Sequence, residues 1–209
     1  MRTKSPIIIA RMARYKHAVE RLKMLGFSKV FSKYLGETVN ATSVQIRKDF
    51  SIFGIKGSKR GGYNVDELLE QLTVTLGGKN ENKIIVVGCG NLGTSLLNYR
   101  GFNQKHFDIL ATFDIDPAKI NNDEKIPTLP LDQLENFIKK ESIKTAIITV
   151  PEQEAQSIYD RLLKCGIRGI MNFAPIQLKS TGECVVNNVN LYVELESILY
   201  FVNNPENEE

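Results

Sequence analysis

The sequence predicts an α/β protein in which a helical N-terminal part precedes a parallel sheet wrapped in helices. Three observations carry this. Residues 1–78 place apolar side chains at helical spacing. From Lys83 onward, short continuous apolar runs alternate with amphipathic stretches, the pattern of a parallel sheet covered on both faces. Charge divides at the same place: residues 1–78 hold 14 Lys/Arg against 6 Asp/Glu, and residues 79–209 hold 13 against 18. The expected parts are 1–78, 79–189 and a terminal helix with a polar tail over 190–209.

The elements follow in order. Ile8, Met12, Tyr15, Val19, Leu22 and Leu25 recur near every 3.6 residues, and Gly26 supplies a stop, so a helix is expected over Ile7 to Leu25. A short helix should run from after Ser32 to Val39–Asn40. Thr42 with Gln45 three residues on reads as a capping box opening the next helix, "TSVQIRKDF". "GIKGSKRGGY", with four glycines and three cations, must be a loop or tight hairpin. Asn64 and Glu67 form a second cap-like pair before "VDELLEQLTVTL", which Gly77–Gly78 ends. In the second part, "KIIVVG", "FDILATFD", "KTAIITV", "RGIMNF" and "CVVNNV" read as strands. Leu92 to Arg100, "PLDQLENFIKKES" and "EQEAQSIYDRLLKCG" read as helices. The last helix, "NLYVELESILYFV", sets Leu191, Leu195, Ile198, Leu199 and Val202 on one face, to pack on its own domain or on a second subunit.

Composition narrows the class. The chain of 209 residues has a net charge of +3, with 42% hydrophobic and 24% charged residues, which fits a globular protein rather than a disordered one. No apolar run approaches the ~18 residues of a membrane span, and the start lacks a secretory apolar region, so a cytoplasmic protein without membrane contact is expected. Three widely spaced cysteines, Cys89, Cys165 and Cys184, suggest neither a disulfide framework nor a zinc site.

Two motifs carry chemistry. Gly88-Cys89-Gly90-Asn91-Leu92-Gly93 fits G-x-G-x-x-G between an expected strand and an expected helix. In that pattern the first glycine makes the turn, the second lets the backbone approach a pyrophosphate, and the third lets helix and strand pack closely. Asp114 ends the next strand 21 residues after Gly93, where a carboxylate would take ribose hydroxyls and repel the 2′-phosphate of NADP(H). The expectation is a Rossmann-like domain binding NADH and NAD+. An ordinary strand–helix turn, or a related fold binding coenzyme A or another nucleotide, is the alternative. Cys89 is either a small residue filling the turn or a thiol acidified by the helix start.

The second motif is the pair of short helices around Asn40, followed by the basic glycine-rich loop, which together suit a winged helix-turn-helix. Ser43, Gln45, Arg47 and Lys48 would meet base edges, and Lys56, Lys59 and Arg60 would contact phosphates or a minor groove. A generic helical domain with a solvated basic surface is the plainer alternative. An NAD-dependent oxidoreductase fits poorly. Such an enzyme needs an acid/base group, and the chain offers only His17, His106 and a Tyr99 with Asn103 where a Tyr-x-x-x-Lys pair needs lysine.

The chain resembles the Rex family of redox-sensing transcriptional repressors. The blocks that carry the likeness are "SVQIRKDFSIFG", "KRGGYNV", "VVGCGNLGTSLLNYRGF", "FDIDPAKI", "ITVPEQEAQ", "GIRGIMNFAP" and "NNVNLYVEL", in that order. The resemblance implies a homodimer with winged-helix DNA-binding domains, Rossmann-like NAD(H) domains and a C-terminal helix exchanged between subunits. It implies a palindromic operator that is released when NADH binds. By the same resemblance Gly88 to Gly93 hold the pyrophosphate and Asp114 the adenosine ribose. Thr149, Val150 and Pro151, with Asn172, Phe173, Ala174 and Pro175, line the nicotinamide side. Tyr99 would report the redox state through an arginine, for which Arg11 is the candidate, and an aspartate, whose place Asn190 takes. An amide cannot supply the charge that strengthens a bond to arginine, so a paralogue with a weak or altered NADH response is a second expectation.

Overall fold

The computed structural model describes residues 5–58, 61–78, 82–99, 107–180 and 182–204. Lys59, Arg60 and His106 lie outside the described residues. The chain divides into two compact units, Met1–Asn80 and Glu81–Glu209.

The first unit is helical. Helix α1, Pro6–Met24, starts with a proline at its first position, where no N–H is needed. It buries Met12, Tyr15, Val19 and Leu22 of the expected stripe, while Ile8 is half-buried and Leu25, at the C-cap, is exposed. Strand β1, Lys29–Val30, pairs antiparallel with β2, Tyr63–Asn64, a short ribbon that the sequence reading did not anticipate. Between them lie α2, Ser32–Val39, and α3, Ser43–Ile52. Their turn places Asn40 in the left-handed region at φ 51°, which Asn tolerates better than most residues. Helix α4, Val65–Thr75, closes the unit. Its cap is Asn64, whose Oδ1 accepts from the Asp66 and Glu67 N–H groups. The core joins Leu35, Ile46, Phe50, Leu68 and Leu72, with Phe50 edge-on to Tyr15 and Tyr63. Each such burial is worth about 1.5–3 kcal/mol.

The second unit is a six-stranded, wholly parallel sheet in the order β5-β4-β3-β6-β7-β8. The strands are β3 Asn82–Val87, β4 Phe107–Asp114, β5 Thr128–Pro130, β6 Thr145–Ile148, β7 Gly169–Asn172 and β8 Val185–Asn188. Three residues long, β5 is too short to show a pattern in sequence. On β3 the side chains alternate: Ile85 and Val87 enter one apolar cluster, and Ile84 and Val86 enter another on the opposite face. Helix α5, Asn91–Leu97, ends earlier than expected, its Asn98 side chain donating to the Thr94 carbonyl. Helices α6, Leu134–Glu141, and α7, Glu152–Lys164, bury Ile138, Ile158 and Leu162.

The last helix, α8, Leu191–Asn203, buries nothing. The expected stripe is exposed, from 48% at Leu199 to 66% at Val202. Tyr192, Val193, Tyr200 and Phe201 are exposed as well, so the apolar surface is wider than one face. A patch of this kind marks an interaction surface. Among the described residues no helix is long and apolar enough to cross a membrane.

Candidate functional site

The sheet order reverses at β3, whose neighbours are β4 and β6. In an open α/β sheet a ligand crevice forms outside the carboxyl ends of the strands at such a point. The G-x-G-x-x-G loop stands there. Gly88 adopts φ +101°, and a Cβ on it would stand 2.8 Å from the Thr149 backbone carbonyl. A Cβ on Gly93 would strike the Gly88 carbonyl oxygen, whereas one on Gly90 would meet only open space. That empty approach at Gly90, beside the first N–H groups of α5, is what a phosphate needs.

Thr149 ties the two strands at the crevice. Its N–H donates to the Val87 carbonyl at 2.8 Å, and its hydroxyl to the Gly88 carbonyl at 2.7 Å. Asp114, at the end of β4, accepts from the Cys89 N–H at 2.7 Å, the Asp116 N–H at 2.9 Å and Lys119 Nζ at 3.1 Å. Burial opposes its charge, but the two backbone donors and the ammonium outweigh it and hold the carboxyl below its usual range. The Cys89 thiol lies 3.7 Å from Thr94 Oγ1 and 3.8 Å from Thr128 Oγ1. A cleft of about 520 Å³ is lined by Gly88, Gly90, Asp114, Thr149, Val150 and Pro151. These are residues the sequence singled out. It also takes in Lys119, Leu131, Glu154 and Ile158, which the sequence reading missed. Lys119 lies in "FDIDPAKI", five residues after Asp114, and could have been suspected from that spacing.

Other expected residues sit elsewhere. Asn91 is exposed at the start of α5 and Leu92 half-buried. Asn172 is fully buried, and its amide is engaged by the Ile176 carbonyl at 2.7 Å, Asn188 Oδ1 at 2.9 Å and the Ala174 N–H at 3.0 Å. It shapes the turn carrying Phe173, Ala174 and Pro175, and none of these four lines the cleft. Tyr99 is exposed just after α5. Asn190 caps α8, its Oδ1 accepting from the Tyr192 and Val193 N–H groups. Arg11 belongs to the first unit and forms a bidentate pair with Asp49, at 2.7 and 2.8 Å. Among the described residues no His/Cys/Asp/Glu group could hold a metal.

The second candidate surface is α3. Thr42 caps it, accepting from the Gln45 N–H at 3.1 Å. Only half the expected capping box forms, because the Gln45 side chain turns to Asp49 Oδ1 at 2.7 Å. Asp49 is buried and also accepts from the Tyr15 hydroxyl at 2.9 Å. Its burial opposes ionisation, but the bonds from Arg11, Tyr15 and Gln45 prevail and lower its pKa. Burial and the Asp49 carboxylate push the Tyr15 phenol up to about 12. Arg47 Nη1 donates to Ser32 Oγ at 3.1 Å. Ser43 is half-buried, and Lys48 and Lys56 are exposed.

Comparison with known proteins gives this geometry a family. The repressor named "Redox-sensing transcriptional repressor Rex" of Carboxydothermus hydrogenoformans is 39% identical over 193 residues, 92% of this chain and 93% of that protein. The chain belongs to the Rex family. The protein of the same name from Halalkalibacterium halodurans is 40% identical over 202 residues, 96% of this chain and 95% of that one. Two family descriptions match in part: "CoA binding domain" over residues 79–176 and "Putative DNA-binding protein N-terminus" over 5–51. The solved structure of RSP, a Rex-family repressor, in complex with NAD+ and operator DNA is 33% identical, covers 99% of this chain and 95% of that one, and superposes with a TM-score of 0.90. The same protein with NADH gives 0.86, covering 99% and 97%. The Rex fold is therefore that of this chain: an N-terminal helical DNA-binding unit and a Rossmann-like sheet.

Proposed function

We propose that this chain is a DNA-binding transcriptional repressor that senses the NADH/NAD+ ratio, with NADH releasing it from its operator. It is no enzyme. The observation that carries the reading is a crevice floored by Gly88, Gly90 and Gly93, with an ionised Asp114 at its edge, in the same chain as a capped, cationic helix α3. The loop would hold the pyrophosphate. Asp114 would accept from the ribose hydroxyls, displacing Lys119 or using its remaining lone pairs. A carboxylate there repels a phosphorylated ribose, which disfavours NADP(H) and coenzyme A alike. The basic first unit would engage the phosphates of a duplex, where affinity falls steeply with salt.

The exposed apolar surface of α8 supports a homodimer with that helix exchanged between subunits, and a two-fold dimer implies a palindromic operator. A cytoplasmic location is in keeping with a DNA target. For control, NADH must favour the released state more than NAD+ does. Purified protein on a fluorescent operator duplex tests this: loss of anisotropy on adding NADH supports the reading, and full retention at saturating NADH rejects it.

A second reading, a Rex protein with a weak or altered NADH response, is favoured by one observation. Arg11 and Asn190, both expected to transmit the redox state, are engaged by Asp49 and by the α8 backbone. Asn190→Asp distinguishes the two. A weak wild-type response strengthened by the substitution supports the second reading, and a strong response in both removes it.

A further inference from the structure

The outer stripe of α3 differs from the set that polarity alone selects. The exposed residues are Val44, Arg47, Lys48, Ser51 and Ile52, of which the first four keep the i, i+3, i+4, i+7 spacing of one helical face. Gln45 is not among them. Its amide is drawn back to Asp49, and Asp49 is anchored by Arg11 and Tyr15. Turning Gln45 outward would remove a donor from a buried carboxylate, which is costly. Arg47 is steadied by Ser32. That leaves Val44, 64% exposed in the first turn, as the apolar side chain at the N-terminal end of this face, the other exposed apolar residue, Ile52 at 44%, standing at the far end of the helix.

A recognition helix presents its N-terminal side chains to base edges. The one apolar group on a major-groove edge is the 5-methyl of thymine, which small apolar side chains contact. We propose that Val44 is a specificity-determining residue that seats a thymine methyl, and that Gln45 reads no base but is held by Asp49 as part of the scaffold. The proposal rests on α3 being the recognition helix.

The test uses the full chain and a duplex it selects from random DNA. Thymines of that duplex are replaced singly by uracil, which lacks the methyl, and affinity is read by anisotropy. At least one replacement should weaken wild-type binding about three- to fivefold, the effect of one lost methyl contact. Val44→Ser should bind the thymine and uracil duplexes equally. Val44→Thr, which keeps a methyl, should restore part of the difference. Gln45→Ala should leave the ranking of bases unchanged at every position. The assignment is overturned if no uracil replacement matters, if Val44→Ser still discriminates, or if Gln45→Ala relaxes the preference at one base pair. If no duplex is selected at all, the DNA-binding reading falls and the assignment with it.

Discussion

The nucleotide crevice and the face of α3 are built from different material. The crevice is made of backbone: three glycines, a strand end and the N–H groups around Asp114. The face of α3 is made of side chains whose directions are set by a buried acid. A site of the first kind constrains residue type at fixed spacing. A site of the second kind depends on partners that are distant in sequence, here 34 and 38 residues away.

The comparison can be broken most severely at Asp49. Asp49→Ala removes the acceptor for Arg11, Tyr15 and Gln45, leaving a half-buried guanidinium and a buried phenol hydroxyl without their partner. It should cost about 3–5 kcal/mol in urea unfolding of the first unit. A cost under about 1 kcal/mol would show that the network does not organise α3.

The same network fixes two pH limits. The folded Asp49 carboxyl lies below its ordinary value. Its stabilisation is therefore present above the unfolded pKa, ~3.9, and is lost as pH falls through the lowered folded value. Tyr15, raised to about 12, contributes below its unfolded pKa of ~10 and loses that contribution as pH rises through about 12. Unfolding midpoints followed across both ranges should decline at each end, and Tyr15→Phe should remove the alkaline decline attributable to this group.

At the crevice the expected effect is smaller and falls on a different measurement. Gly88→Ala meets both a positive φ and the Thr149 carbonyl. At about 1–3 kcal/mol of strain, NADH affinity should drop roughly ten- to a hundredfold, while operator binding without NADH persists. Unchanged NADH fluorescence titrations would contradict a backbone-built site. The smallest effect is at Asn190: Asn190→Ala should cost about 1 kcal/mol of helix cap. Asn190→Asp should preserve the cap, since a carboxylate accepts the same two N–H groups and suits a helix start.

This difference of material also explains what the sequence disclosed. The glycine loop and Asp114 were legible because each answers a local backbone demand, whereas Thr149–Pro151 came only from the family resemblance. Thr42 and Asn64 were legible as caps for the same reason. The side-chain partner of Gln45 was not, because capping-box spacing said nothing of Asp49 folding in from the next turn with Arg11 behind it. Asn172, set on the nicotinamide side by the family resemblance, also closes its own turn with its amide, a role visible only once Ile176 and Asn188 are brought beside it. The ribbon of β1 and β2, two residues each, carries too little pattern to be seen in advance.

If NADH in the backbone-built crevice releases DNA from the side-chain-built helix face, the coupling between the two ligands must be reciprocal. The direct measurement is NADH affinity for the free protein and for the operator-bound protein, beside operator affinity with and without NADH. Operator DNA should weaken NADH binding by the same factor by which NADH weakens operator binding, with NAD+ giving a smaller factor. Equal NADH affinity for free and DNA-bound protein would contradict it.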